Sequence, residues 1–139
     1  MHINENERVL VYTNIFFLVP VIIGIVHKNW NITILLIVFI VFSTLYHIYR
    51  KPGAEWWWRT EGRSLIQTFL LLSEIVLALI LAVWSFLLLL QKPPMLTAIA
   101  IVLFIPSFFM FLSTNYRKYP LYHSIWHTTS AIIITLALI

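Results

Sequence analysis

The chain has 139 residues, of which 61% are hydrophobic and only 10% are charged, and its mean hydropathy is +0.93. Soluble domains average about 45–50% apolar and about 25% charged residues, so this composition excludes an ordinary soluble protein. The sequence contains no cysteine, which excludes disulfides and thiolate metal ligands. We therefore expect a single integral membrane domain over 1–139, in which any bound metal uses histidine, carboxylate or water.

Five apolar stretches follow one another along the chain. Each is close to or above the roughly 17–25 residues that a helix needs to cross a hydrocarbon core about 30 Å thick. Helices are favoured because the backbone must satisfy its own hydrogen bonds in lipid, and the alternating polarity of a membrane barrel is absent. The predicted fold is all-α, an integral membrane bundle of five transmembrane helices at about 9–26, 32–49, 65–90, 95–112 and 121–139.

Prolines occur both between and inside these stretches. Pro93, Pro94 and Pro120 are expected at turns or helix starts, because proline has no amide hydrogen to donate in a continuing helix. Pro20 and Pro106 lie inside predicted spans, where neighbouring helices can accommodate a kink.

The net charge of +4 has a topological explanation. Seven basic residues fall on one side of the five-helix layout: Arg8, Arg50, Lys51, Arg59, Arg63, Arg117 and Lys118. Lys28 and Lys92 fall on the other side. Because basic loops stay in the cytoplasm, the pattern predicts a multi-pass protein of the plasma (inner) membrane, with the N-terminus inside and the C-terminus outside. No nucleic-acid partner is needed to explain the charge.

Histidines of two predicted spans lie at similar depths. At 1.5 Å per residue, His47 lies about 4–5 Å from Arg50, near the inner end of the second span. By the same rise, His123 and His127 lie about 7–8 Å and about 13–14 Å from Lys118 on the last span. Ionisable residues in hydrocarbon are costly, so residues that share one layer of a membrane are candidates for function.

Helical spacing also brings these side chains together. His123 and His127 are four residues apart, which places their Cβ atoms about 5–6 Å apart on one helix face. Ser43 and His47 have the same spacing. Two histidines from the last span and one from the second form a three-histidine site with an open fourth position, which is typical of catalytic zinc.

Glu74 lies well inside the third apolar stretch, about 16 Å past Arg63 at the rise of a helix. This long helix must tilt or project from the membrane, and projection into the cytoplasm brings Glu74 level with the histidines. A buried carboxylate is costly unless it is protonated or lies beside a cation. Glu74 could instead pair with Arg63 or Lys92, or with a threonine of the second span while protonated.

Other interpretations of these residues remain open. Histidines near a helix end can cap carbonyl groups or face the interface, and serine often packs between membrane helices. We exclude His27 from the site because it lies at the outer end of the first span. His2 is excluded because it belongs to a chain terminus.

The motifs FSTLYH, HSIWH and an acid between them resemble the scattered signature of the CREST superfamily. This superfamily includes alkaline ceramidases, the progestin and adipoQ receptors with bacterial hemolysin III relatives, and myomaker-like proteins. Its members surround zinc with a serine and histidine of the second helix, an aspartate of the third and a terminal HxxxH pair, within seven helices. The resemblance spans 42–127 and rests on a handful of positions.

The resemblance implies zinc bound by His47, His123 and His127, with Ser43 and Glu74 close to the metal-bound water. Two features depart from the family pattern. Glu74 stands where the family has aspartate, so its carboxylate reaches one methylene further and could bind the metal directly. Five helices are predicted instead of seven, which leaves dimerisation, a shallower pocket or loss of activity open.

We expect a zinc-dependent intramembrane hydrolase that acts on a lipid amide, such as a ceramide-like substrate, or on an ester. Zinc lowers the pKa of its bound water toward about 7. Glu74 would accept the proton of this water, and Ser43 would bond the water or the developing oxyanion. A non-catalytic, zinc-stabilised protein in signalling, membrane remodelling or complex assembly is the alternative. A small membrane subunit without metal is a third interpretation. A membrane lipid is the expected partner, and a homodimer is possible.

Overall fold

The computed structural model describes residues 5–50, 64–112 and 118–139, and the regular structure in these ranges is entirely helical. The elements are α1 (Glu5–Thr13), a 3₁₀ segment (Asn14–Phe17), α2 (Leu18–Val26), α3 (Trp30–Tyr49), α4 (Leu65–Leu89), α5 (Pro94–Phe111) and α6 (Tyr119–Leu138). The all-α class is therefore confirmed. The predicted spans match these helices except at their ends and in the first span, which a 3₁₀ segment interrupts.

Four helical segments in the described ranges are long and apolar enough to cross a membrane, namely Arg8–Val26, Trp30–Tyr49, Leu65–Leu89 and Pro94–Phe111. They identify a helical membrane protein. The last helix, α6, has 20 residues, like α3, but its first half carries several polar side chains. A fifth crossing by α6 stays a prediction.

The membrane orientation also stays a prediction. Four of the basic residues on which it rests, Lys51, Arg59, Arg63 and Arg117, lie outside the described residues. Arg50 is described, and it lies at the C-terminal cap of α3.

A 3₁₀ turn interrupts the first span between α1 and α2. Pro20 has no amide hydrogen for the carbonyl of Phe16, four residues earlier, and its ring crowds that carbonyl. The chain therefore winds more tightly through Asn14–Phe17 before the α-helix resumes at Leu18. This change of winding falls at two consecutive polar residues. Thr13 is the last residue of α1, and Asn14 is the first residue of the 3₁₀ segment.

A hydrogen-bonded bridge joins α3 and α4 at one end of the pair. Ser64 caps α4 by accepting a hydrogen bond from the Gln67 amide, while the Gln67 side chain accepts one from the Ser64 amide. The Gln67 side chain also donates to the backbone carbonyl of Tyr49 at the end of α3. At 1.5 Å per residue, Glu74 lies about 10 Å along α4 from this bridge and Ser43 about 9 Å along α3. Because these two distances are nearly equal, Glu74 and Ser43 lie side by side.

The helix α6 packs against α1, α2, α4 and α5, so it connects the two sides of the bundle. By contrast, α5 packs mainly against α6 and makes few contacts with α4. The largest apolar core joins the first span, α3, α4 and α6 through buried side chains that include Phe17, Leu36, Phe39, Leu81 and Ile134.

Prolines begin two of the helices, as predicted. Pro94 lies in the first turn of α5 and Pro120 in the first turn of α6, where a missing amide hydrogen costs no helical hydrogen bond. Pro106 lies inside α5, which continues through it to Phe111.

Candidate metal centre

Four buried side chains from three helices converge at one point of the bundle. They are His47 of α3, Glu74 of α4, and His123 and His127 of α6, and they are called the His/Glu cluster below. One ligand atom from each side chain lies within 4.8 Å of all the others. His47 is 0% exposed, His127 is 2% exposed, and the other two are 7% exposed. The described part of the chain therefore contains four side chains close enough to bind one metal ion.

The three imidazole rings contact one another pairwise. Their centroids are 4.6 Å apart for His123 and His127, 5.1 Å for His47 and His123, and 5.7 Å for His47 and His127. The ring planes are inclined by 63°, 77° and 66° respectively. Such steep angles direct ring edges toward neighbouring rings, so the histidines pack edge to face instead of stacking face to face.

Glu74 contacts both residues of the Ser-x-x-x-His motif on α3. Its Oε1 accepts a hydrogen bond of 2.6 Å from the Ser43 hydroxyl and lies 3.7 Å from His47 Nε2. The alternative pairing with Lys92 would require a partner 18 residues, or about 27 Å, further along the helix axis. Arg63 lies outside the described residues. Of the two threonines of the second span, Thr44 accepts a hydrogen bond from Asn14 and Thr33 donates one to the Asn29 carbonyl.

The first span supplies two polar residues that the sequence interpretation missed. Asn14 is buried, and its side chain donates to Thr44 Oγ1 at 3.0 Å, while its Oδ1 lies 3.3 Å from Ser43 Oγ as an alternative acceptor of the Ser43 hydrogen. Thr13 Oγ1 lies 3.1 Å from His127 Nδ1. A signal for them existed in the sequence, because an asparagine inside an apolar membrane span is costly unless its side chain is bonded.

The imidazole of His123 gives an independent indication of a ligand. Both ring nitrogens are buried, and neither has a hydrogen-bond partner among the described residues. Leaving a buried donor or acceptor unsatisfied costs about 1–3 kcal/mol. A metal ion bonded to one nitrogen would use a lone pair that the described side chains leave unused, so this donor set fits a metal.

The positive charge of Arg50 lies near the cluster, with the Tyr119 ring in contact with both Arg50 and His123. The Arg50 guanidinium carbon is 4.2 Å from the ring centroid of Tyr119, which is within the range of a cation–π interaction. The Tyr119 ring in turn lies 5.1 Å from the His123 ring. The end of α3 therefore brings a buried cation close to the same layer as the histidines.

A mostly apolar cavity of about 370 Å³ lies one residue away from the cluster, none of whose four members lines it. It is lined mainly by α4, α5 and α6 and is called the α4–α5 cleft below. Along α4 its lining extends from Ala78 to Leu89. Phe17, another lining residue, lies 5.8 Å from the His127 ring, centroid to centroid. The cleft therefore begins next to a cluster histidine.

Of the two histidines excluded on sequence grounds, His27 lies at the exposed C-terminal cap of α2, apart from the cluster. His2 lies outside the described residues.

Comparisons with protein-family models, with curated proteins and with solved structures find no match. The resemblance to the CREST superfamily therefore stays a prediction that rests on the motif residues of α3, α4 and α6. The structure brings the candidate residues of these motifs together, namely Ser43, His47, Glu74, His123 and His127.

Proposed function

We propose that the protein is a zinc-dependent intramembrane hydrolase of a lipid amide or, in second place, a lipid ester. The observation that carries this proposal is the position of the His/Glu cluster, buried inside the bundle beside an apolar cleft. Histidine and carboxylate donors without thiolate are typical of catalytic zinc sites that keep one position for water or substrate.

In this proposal His47, His123 and His127 hold the metal. Zinc bound by neutral imidazoles supplies a Lewis acid and a water that ionises near neutral pH. The helices fix the three ligands from two directions, because His47 comes from α3 and the other two come from one face of α6. Burial excludes bulk water and competing ligands from the reacting groups.

Glu74 acts as the proton acceptor, and its Oε1 is oriented by the Ser43 hydroxyl. When Glu74 is ionised, Ser43 donates its only hydrogen to this carboxylate. When Glu74 holds a proton, the Ser43 hydrogen has a second acceptor, Asn14 Oδ1, at 3.3 Å. This arrangement lets Glu74 take up a proton and return it to the leaving group while Ser43 stays bonded.

The α4–α5 cleft supports a lipid as the substrate. Its lining from Ala78 to Leu89 covers about 16 Å along α4 at 1.5 Å per residue. A volume of about 370 Å³ lies within the roughly 300–1,000 Å³ of typical ligand pockets. An acyl chain in the cleft would place the attached carbonyl at the end nearest His127, where the cluster lies.

The remaining parts of the proposal come from the sequence. They are CREST-type ancestry with Glu74 in the place of an aspartate, α6 as a fifth span, and a site toward the cytoplasmic leaflet of the plasma (inner) membrane. A membrane lipid as substrate or ligand and a possible homodimer belong to the same set of predictions.

Zinc content and lipid turnover of the detergent-purified chain test the proposal. We expect about one zinc per chain and release of fatty acid from a ceramide-like amide. Glu74→Gln should keep its zinc and lose about 10²–10⁴-fold in turnover, because it removes a positioned general base. Ser73→Ala, on the same helix beside Glu74, is the matched control and should turn over like the parent. A parent without zinc, or a Glu74→Gln variant as active as the parent, would contradict the proposal.

A non-catalytic zinc protein is the second candidate, and one observation favours it. The cluster joins three helices, so a bound metal would contribute directly to folding stability. If the purified chain binds zinc, unfolds at lower temperature after chelation and hydrolyses neither amide nor ester lipids, this second function replaces the first.

A further inference from the structure

We infer that Thr13 is a positioning residue that holds His127 in the tautomer whose Nε2 carries the lone pair that a metal would use. The first span then contributes to the site by orienting a ligand, although it supplies no metal ligand itself. This inference rests on the metal binding in the proposed function. It goes further by assigning a role to a residue outside the Ser-x-x-x-His and HxxxH motifs.

The direction of the hydrogen bonds follows from counting hydrogens. The Thr13 hydroxyl lies 2.9 Å from the carbonyl oxygen of Leu10 and 3.1 Å from His127 Nδ1. A hydroxyl has one hydrogen to donate, and a carbonyl oxygen can only accept. Both contacts are therefore hydrogen bonds only if Thr13 donates to Leu10 and accepts from a hydrogen on His127 Nδ1.

That assignment determines which nitrogen remains for a metal. A neutral imidazole carries one hydrogen, so a hydrogen on Nδ1 leaves the lone pair on Nε2. The opposite tautomer would put the hydrogen on Nε2 and leave this atom unable to bind a metal. Histidine ligands in metal sites commonly donate their other nitrogen to an oxygen in this way, which fixes the ring and its tautomer.

A second contact from the same segment fixes the plane of the His127 ring. The Phe17 ring packs against it with centroids 5.8 Å apart and planes inclined by 67°. Thr13 immediately precedes the 3₁₀ segment, and Phe17 is its last residue. This short stretch of the first span therefore makes two contacts with the imidazole, one at Nδ1 and one with the ring.

The neighbouring histidine shows what is special about this arrangement. His123 has no hydrogen-bond partner for either nitrogen among the described residues, so no described contact selects its tautomer. His127 therefore has a contact that selects its tautomer before metal binding, whereas no described hydrogen bond does this for His123. Losing the partner of an oriented ligand typically costs about 10–100-fold in metal affinity.

Three variants test this role through zinc affinity, measured by competition with a chelator. Thr13→Val keeps the shape but removes the hydroxyl, and we expect affinity to fall about 10–100-fold. Thr13→Ser keeps the hydroxyl and should stay within about threefold of the parent, by the same reasoning. The control is Thr129→Val, because the Thr129 hydroxyl bonds only to backbone carbonyls of its own helix in the described structure.

Nitrogen-15 NMR of the metal-free parent gives a second readout that does not depend on how a variant folds. We expect the hydrogen of His127 to be on Nδ1, and a hydrogen on Nε2 would overturn the inference. Equal zinc affinities for the parent and a folded Thr13→Val variant would overturn it while leaving the proposed function intact. A parent that binds no zinc would overturn both.

Discussion

The His/Glu cluster and the α4–α5 cleft lie next to each other, yet different forces hold them. Around the cluster, hydrogen bonds join separate segments of the bundle, from Ser43 to Glu74 and from Asn14 to Thr44, so positions are set by directional contacts. In the cleft, α5 makes few contacts with α4, and the walls are mostly apolar. Lipid chains are as apolar as the helix surfaces, so no hydrophobic force closes such a gap in a membrane.

Under the proposed function, this difference separates two tasks within one small bundle. Chemistry requires side chains held to within a fraction of an ångström, which bonded and buried groups provide. Binding an acyl chain requires a smooth apolar surface that adapts to chains of different length, which a loosely packed pair of helices provides. The first two predictions below each damage one region and leave the other intact, and the third alters a helix contact outside both.

The largest effect is expected from removing two ligands of the cluster. His47→Ala combined with His123→Ala should abolish zinc binding, because two of the three imidazoles are lost. Elemental analysis of the purified variant checks this. His27→Ala, which removes an exposed histidine outside the cluster, is the matched control and should keep the full zinc content. Stoichiometric zinc in the double variant would place any metal site elsewhere in the protein.

An intermediate effect is expected from filling the cleft. Ala82 lines the cavity, and Ala82→Phe should lower turnover of long-chain lipids at least about tenfold while short-chain turnover changes less, as expected for pockets that discriminate by methylene count. Zinc content should not change. Ala98→Phe adds the same ring to an exposed position of α5 outside the lining and is the control. The same loss for both alanine variants, or for short and long chains, would contradict an acyl-chain role.

The smallest effect is expected from a substitution at Gly24, where α2 approaches α3. A Cβ at Gly24 would collide with Thr33 Oγ1, which is held by its hydrogen bond to the Asn29 carbonyl. Gly24→Ala should therefore destabilise the protein by about 1–3 kcal/mol, as overpacking typically does. Thermal unfolding in detergent measures it, and adding Thr33→Ala should restore part of the loss. No recovery in the double variant would show that this contact is not the cause.

Local patterns explain why much of the fold could be predicted. Hydropathy and chain length identify helices such as α3 and α4, since each must satisfy its backbone within its own segment. Proline places the starts of α5 and α6 for an equally local reason. The 3₁₀ turn at Asn14–Phe17 was missed, although Pro20 was noted, because the sequence does not show whether a proline bends a helix or tightens its preceding turn.

The candidate site was predictable in its members but not in its contacts. Four-residue spacing puts His123 and His127 on one face whatever surrounds them. The partner of Glu74 depends on how far α4 slides along α3, and a shift of one helical turn, about 5.4 Å, would offer it a different residue. The bridge from Gln67 to Tyr49 forms at the observed register, and this contact has no signature in the sequence.

The sequence by itself determined a helical membrane protein without thiolate ligands, together with the histidines and the acid that a metal site would use. These conclusions rest on composition and on periodicity within single helices. Only the tertiary structure decided that the four cluster residues meet, that Thr13 and Asn14 join them, and that an apolar cleft begins beside His127. The physical reason is that contacts between helices depend on register and crossing geometry, which side-chain packing over the whole bundle sets.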